Sequence, residues 1–188
     1  AVTDGETLEV DGGRGVVRVP GPGQAAAAWQ ACAGLGPLLA QVEVAGSRHV
    51  EVQCLGDGHG AVVTLGTREC SVQRRAQKVL EEAPAPGLTP DQVRALESAS
   101  RRVLGAAGLA GAATCEFLLP QGSRDTTPLL LEVNARLQVE HAVTEEVTGV
   151  DLVAAQLLLA QGTDLVEAVR AAGDAMAGGR RTAAGGRS

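Results

Sequence analysis

The sequence predicts an α+β fold: an antiparallel or mixed sheet with flanking helices. Three observations carry that prediction. Two pairs of β-rich runs each flank a turn-forming segment, a capped amphipathic helix separates them, and the strands come in hairpins rather than in strand–helix–strand units. The last point argues against a doubly wound parallel sheet. At 188 residues and 45% apolar content the chain is long enough to bury a core without disulfides or metal staples.

Residues 1–24 are rich in Gly and Pro, with Gly12-Gly13-Arg14-Gly15 between two Val-containing stretches. Residues 16–19 read as a short strand and Pro20-Gly21-Pro22-Gly23 as a turn. Residues 24–33, mostly Ala with Trp29, form a short helix stopped by Gly34, Gly36 and Pro37. The runs 49–55 and 61–65 flank Gly56-Asp57-Gly58-His59-Gly60 and predict a hairpin. Thr89-Pro90-Asp91-Gln92 is a helix start: Thr89 caps, Pro90 suits the first helical position, and Gln92 completes a capping box. Val93, Leu96, Val103 and Leu104 then share one face, and Gly105 and Gly108 end the helix. A second hairpin joins 113–119 to 129–134 through a loop over 120–128. Residues 151–160 form a helix apolar almost all round, hence expected to be buried. From Gly173 the chain is Ala, Gly and Arg with little to pack, which predicts a flexible tail. The expected organisation is therefore 1–40, 41–165 and a tail over 166–188.

Composition removes several function classes. A net charge of −6 excludes a nucleic-acid binder that works by bulk electrostatics, and one Trp, one Phe and no Tyr leave no base-stacking platform. Cys32, Cys54, Cys70 and Cys115 are widely spaced, without a CxxC pair or a nearby metal-spaced His. They predict reduced thiols packed as small apolar groups, as in the cytoplasm or, in a eukaryote, the mitochondrial matrix. No apolar run approaches the roughly 20 residues that span a bilayer, and no leader pattern is seen, so no membrane partner is expected. The chain opens at Ala1 without Met, as a processed product or a fragment would.

The chemistry concentrates in two stretches. In Glu132-Val133-Asn134-Ala135-Arg136-Leu137-Gln138-Val139-Glu140 every even position is polar and every odd one apolar. An extended chain would line Glu132, Asn134, Arg136, Gln138 and Glu140 along one surface. If Glu116 lies opposite Glu132, the hairpin's midpoint falls at Arg124, the centre of the loop. Like charges opposed across a sheet repel unless a cation lies between them. Two glutamates with the Asn134 carbonyl make a hard, all-oxygen set suited to Mg²⁺ or Mn²⁺. A salt bridge from Arg124 or a shifted register would remove the clash without a metal. The second stretch, 68–86, is a cationic segment after a hairpin and reads as an exposed loop. It gathers the only lysine of the chain, Lys78, with arginines and glutamines that could hold an anion beside the metal.

Cys70-Ser71-Val72-Gln73-Arg74-Arg75 with Gln77-Lys78-Val79 and Glu81-Glu82-Ala83-Pro84-Ala85-Pro86, followed by Glu132 to Glu140 and His141, resembles biotin carboxylase. That family is the ATP-grasp subunit or domain of biotin-dependent carboxylases, and the likeness runs from about Arg48 to Gly162. It implies a partial ATP-grasp fold, with 1–40 a remnant of the glycine-rich lid subdomain and 41–165 the C-terminal ATP-grasp subdomain. The N-terminal lobe and most of the C-terminal lobe are expected to be missing.

The resemblance implies residue roles. Glu116, Glu132 and Asn134 match metal ligands; Lys78, Arg136, Gln138 and Val139 match the bicarbonate cradle; Glu140 matches the base that deprotonates bicarbonate. His49 and Gln73 match positions near the nucleotide, and Gly12, Gly13 and Gly15 are similar to the lid over the phosphates. The implied reaction uses ATP, Mg²⁺ or Mn²⁺ and biotin on a carrier domain, with a biotin carboxyl carrier and a carboxyltransferase as partners. Departures accompany the match: Glu6 where the family has a phosphate-contacting lysine, Gln41-Val42 at the nucleotide hinge, Ala76 in place of a histidine and Ala142 in place of a proline. Two readings follow: a segment of a biotin carboxylase, or a non-catalytic ATP-grasp relative acting as a binding or scaffold module.

Overall fold

The structure, a computed structural model, describes residues 8–11, 16–19, 21–34, 38–44, 46–74, 77–121 and 127–185. Gly12, Gly13 and Gly15, along with Glu6, Ala76 and Arg124, lie outside the described residues. The chain divides into two compact units, 1–45 and 46–188.

In the first unit β1 (Leu8–Asp11) pairs antiparallel with β2 (Val16–Val19) and with β3 (Leu39–Val42). Because β3 pairs with β1, the boundary falls after residue 45 rather than after 40. Helix α1 (Pro22–Cys32) takes in the second half of the segment expected to be a turn and starts on Pro22 rather than at residue 24, because a proline suits the first helical position. Val19 and Cys32 are buried there, with Ala25, Ala28 and Leu38 packed against them.

The second unit is a five-stranded antiparallel sheet in the order β6-β5-β4-β7-β8. Its strands are β4 (Ser47–Asp57), β5 (Val62–Arg74), β6 (Gln77–Glu82), β7 (Ala110–Pro120) and β8 (Leu129–Asn134). Both predicted hairpins are present, and both strands of the first run longer than the sequence indicated. The segment over 68–86, expected to be a loop, is the end of β5 and all of β6. Register shifts between Glu69 and Val72 and between Val72 and Gln73 interrupt its alternation, which hides the strand from a two-residue pattern.

Each face of the central strands has its own cover. Val50, Val52 and Cys54 of β4, with Ala113, Cys115 and Phe117 of β7, pack against Leu96 and Leu104 of α2 (Pro90–Ala106). The Thr89–Gln92 capping box is formed, and each fully buried leucine contributes about 1.5–3 kcal/mol. On the other face Leu55 and Ala112 meet Leu152 and Ala155 of α4 (Leu152–Ala160) and Leu165 and Ala172 of α5 (Leu165–Gly185). That cover reaches one end only. At the other end the same face is polar: Glu51, Gln53, Arg68, Thr114 and Glu116 are all buried.

Two expectations change here. Helix α4 is not buried all round, since Val153 and Leu157 are exposed; only its inner side meets β7 and α5. The predicted tail is helical through Gly185, because Leu165, Ala168 and Ala172 recur at helical spacing and bury. All four cysteines are free and buried. Gly56 sits where β4 meets the turn after α2: a Cβ there would lie 2.3 Å from the Leu109 carbonyl oxygen. No helix among the described residues is long and apolar enough to cross a membrane.

Candidate functional site

Strand register assembles the site. Arg68 of β5 pairs with Glu51 of β4, Glu51 with Glu116 of β7, and Glu116 with Glu132 of β8. One cation and three carboxylates thus stand in a row across four strands. The opposition of Glu116 and Glu132 read from the hairpin is present. Three carboxylates in line repel, and what offsets them decides the site's chemistry.

Lys78 of β6 supplies one offset. Its ammonium contacts Glu51, lies 3.1 Å from Glu116 Oε1 and donates to Glu140 Oε1 at 2.7 Å. Asn134 supplies another: its amide nitrogen donates to Glu116 Oε1 at 2.8 Å and to Glu132 Oε1 at 2.9 Å, so both carboxylates are drawn to one point. The Asn134 carbonyl oxygen in turn accepts from Arg136 Nη2 at 3.3 Å. His49, two residues before Glu51 on the same face, takes a hydrogen bond at Nδ1 from the Gln73 amide at 2.8 Å. That assigns the proton to Nε2, which lies 2.7 Å from Glu116 Oε2. The contact is off the N–H direction, so this buried nitrogen has no aligned hydrogen-bond acceptor.

These groups surround a cavity of about 780 Å³. His49, Gln73, Lys78 and Glu116 line it from the sheet, and Glu132, Asn134, Arg136, Gln138, Val139 and Glu140 from β8 and the segment after it. Every sequence-derived candidate among the described residues therefore borders one space. Val139 is 94% exposed at its rim, whereas Gln138 is buried.

The route by which they converge differs from the expected strand. β8 ends at Asn134, the chain bends at Arg136, turns at 139–140, and enters α3 (His141–Thr148). A continuous strand would carry Glu140 about 26 Å from Glu132. Instead Glu140 shares the Lys78 ammonium with Glu116, the cross-strand neighbour of Glu132. Only a reversal of the chain allows that.

Charge state follows from the same contacts. Burial opposes ionisation of Glu116, but the His49 ring, the Lys78 ammonium and the Gln138 amide outweigh it and hold its pKa at about 2. Glu140 is likewise held below the usual carboxylate range: burial works against this, and the Lys78 hydrogen bond prevails. Cys70 is pushed up to about 12 by burial, which keeps the thiol protonated and unreactive.

The sequence reading missed Glu51. Its signal was present, since His49, Glu51 and Gln53 alternate with Val50 and Val52, which places three polar side chains on one face of a buried strand. A ligand atom from each of His49, Glu51 and Glu116 lies within 4.8 Å of the others. Two donor sets thus meet at Glu116: the carboxylates of Glu116 and Glu132, and this mixed one. Asn134 turns its NH₂ to the carboxylates and its oxygen to Arg136, so its carbonyl would join the first set only after the amide rotates. The oxygen donors and the excess of carboxylates over the Lys78 ammonium fit a hard divalent cation.

This chain belongs to the family of the carbamoyl-phosphate synthase L chain, ATP binding domain, whose profile matches residues 21–168. Within it the similarity is to biotin-dependent carboxylases. Pyruvate carboxylase 1 of Caenorhabditis elegans is 48% identical over 162 residues, which cover 82% of this chain and 13% of that protein. The biotin carboxylase–β,γ-ATP complex of Campylobacter jejuni superposes with a TM-score of 0.78 at 32% identity, over 85% of this chain and 38% of the other. The biotin carboxylase domain of Hydrogenobacter thermophilus 2-oxoglutarate carboxylase, solved with MgADP, ADP and bicarbonate, gives a TM-score of 0.76 at 33% identity, over 86% and 38%. The fold is that of part of a biotin carboxylase domain, and the chain spans well under half the length of these proteins.

Proposed function

We propose that this chain carries the metal and bicarbonate portion of a biotin carboxylase site, a ligase that uses ATP to carboxylate biotin on a carrier domain. The convergence of Lys78, Arg136, Gln138 and Glu140 beside Glu116, Glu132 and Asn134 around one cavity supports this reading. Lys78 and Arg136 supply positive charge for bicarbonate, and the Gln138 amide and the Val139 backbone border the same space. Glu140 would take the bicarbonate proton as the bicarbonate oxygen attacks the γ-phosphate of ATP; its ionised state at neutral pH and its contact with Lys78 support that role. The products are carboxyphosphate and ADP. Carboxyphosphate then breaks into CO₂ and phosphate, the phosphate takes the proton from biotin N1, and the biotin enolate captures CO₂. Glu116, Glu132 and Asn134 would hold Mg²⁺ or Mn²⁺, which offsets the charge that develops on the phosphates. His49 and Gln73 would border the nucleotide, and Gly12, Gly13 and Gly15 would belong to the lid. A biotin carboxyl carrier, which would present the biotin, and a carboxyltransferase, which would use the carboxybiotin, are the partners expected from the family.

Carbon-13 NMR titration with labelled bicarbonate in the presence of Mg²⁺ and ATP tests the reading. Saturable binding is expected, weakened on the order of tenfold by Lys78→Ala or Arg136→Ala. No saturable binding, or binding that neither substitution changes, would reject it. The departures at Gln41-Val42 and Ala76 favour a second reading, a module that binds without turnover. Phosphate release from ATP with free biotin separates the two: rates that are equal with and without bicarbonate would leave binding alone.

A further inference from the structure

We infer that Arg68, which does not border the cavity, is a positioning residue that sets the direction of the Gln138 amide at the cavity and, by occupying one oxygen of Glu51, leaves the other to hold the Lys78 ammonium beside the proposed anion site. Its role as a positioner of bicarbonate ligands rests on the proposed function; its control of the two side chains does not.

Arg68 is wholly buried, and every N–H of its guanidinium is committed. Nε and Nη2 both donate to Glu51 Oε2, at 3.2 and 2.9 Å. Nη1 donates to Gln53 Oε1 at 2.8 Å and to Thr144 Oγ1 at 2.9 Å. Nη2 also reaches Thr114 Oγ1 and Gln138 Oε1, each at 3.2 Å. The acceptors come from β4, β7, α3 and the irregular segment after β8, so one planar fork fastens four parts of the chain.

Two consequences bear on the cavity. A guanidinium has donors only, so the group facing it from Gln138 must be the carbonyl oxygen. The Gln138 NH₂ is therefore turned the other way, where it donates to Glu116 Oε1 at 2.9 Å. Rotating that amide by half a turn would set NH₂ against guanidinium and a carbonyl against a carboxylate. In the same manner Arg68 occupies Glu51 Oε2 and leaves Oε1 for Lys78. Gln138 lies in a segment with no sheet hydrogen bonds to fix it, so its orientation depends on these side-chain contacts. An ammonium could keep the charge of Arg68 but not the fork, which makes Arg68→Lys a discriminating substitution.

The test follows the Gln138 side-chain NH₂ in proton–nitrogen spectra of the full chain, assigned by its disappearance in Gln138→Leu. In the unsubstituted protein its exchange with solvent is expected to be slow, because the amide is buried and donates to Glu116. In Arg68→Lys, with folding checked by circular dichroism, exchange is expected to rise on the order of tenfold, and bicarbonate affinity to fall by a similar factor. Protection unchanged in a folded Arg68→Lys protein would overturn the inference. Thr144→Val, which loosens the fork without touching the charge, covers the case in which Arg68→Lys does not fold; a smaller rise in exchange supports the inference and none overturns it. If the unsubstituted chain binds no bicarbonate, the proposed function fails, and amide exchange still decides whether Arg68 orients Gln138.

Discussion

Replacing Glu116 by Gln tests whether the site is held together by an ionised carboxylate. The side chain is 6% exposed and meets Lys78, His49, Gln138 and Asn134. A pKa lowered from 4.5 to about 2 is equivalent to about 3 kcal/mol at ~1.4 kcal/mol per pH unit, and water in the open cavity screens this to about 2 kcal/mol. The folded protein holds this proton more weakly than the unfolded chain. The contribution is therefore complete above about pH 5.5 and is lost as pH falls through 4.5 towards 2, with more than half gone by about pH 3. Urea unfolding of both proteins in EDTA, at pH 7 and pH 3, measures it. Glu116→Gln should be less stable by about 2 kcal/mol at pH 7, and the gap should shrink to under about 1 kcal/mol at pH 3. A gap of the same size at both pH values would refute the reasoning, and so would equal stability at pH 7.

Lys78→Met leaves Glu51, Glu116 and Glu140 facing one another without their shared cation. It should cost on the order of 2 kcal/mol, and Mg²⁺ should raise its melting temperature more than that of the unsubstituted protein; equal rises would contradict this. Gly56→Ala drives a methyl group into the Leu109 carbonyl, so about 1–3 kcal/mol and roughly 2–4 °C per kcal/mol should be lost in a thermal melt. Thr89→Ala removes the cap of α2 and should cost about 1 kcal/mol in urea while bicarbonate binding stays unchanged.

Local signals in the sequence were reliable where the physics is local. The capping box that starts α2 needs only four consecutive residues, and it formed. The Glu116–Glu132 pairing needs only symmetric counting about a loop, and the register holds despite a bulge between Glu116 and Phe117. β6 was missed because bulges break the alternation of β5 beside it, and its charged composition mimics a loop. Helix α5 was missed because its inward residues include Ala168 and Ala172, whose side chains give a weak hydropathy signal.

The sequence by itself determined which groups were available: a single lysine, two facing glutamates, and a run of acid, amide and guanidinium side chains. Tertiary structure decided how they meet. The pairing of β4 with β7 joins segments far apart in the chain and puts Glu51 beside Glu116. The reversal after Asn134 returns Glu140 to Lys78, and the burial of Arg68 ties Gln138 to the sheet. Side-chain period and hairpin counting reach only neighbours along one strand or across one turn. The contacts that join the two hairpins, Glu51 beside Glu116, Lys78 to Glu140 and Arg68 to Gln138, form between segments whose adjacency no local pattern encodes.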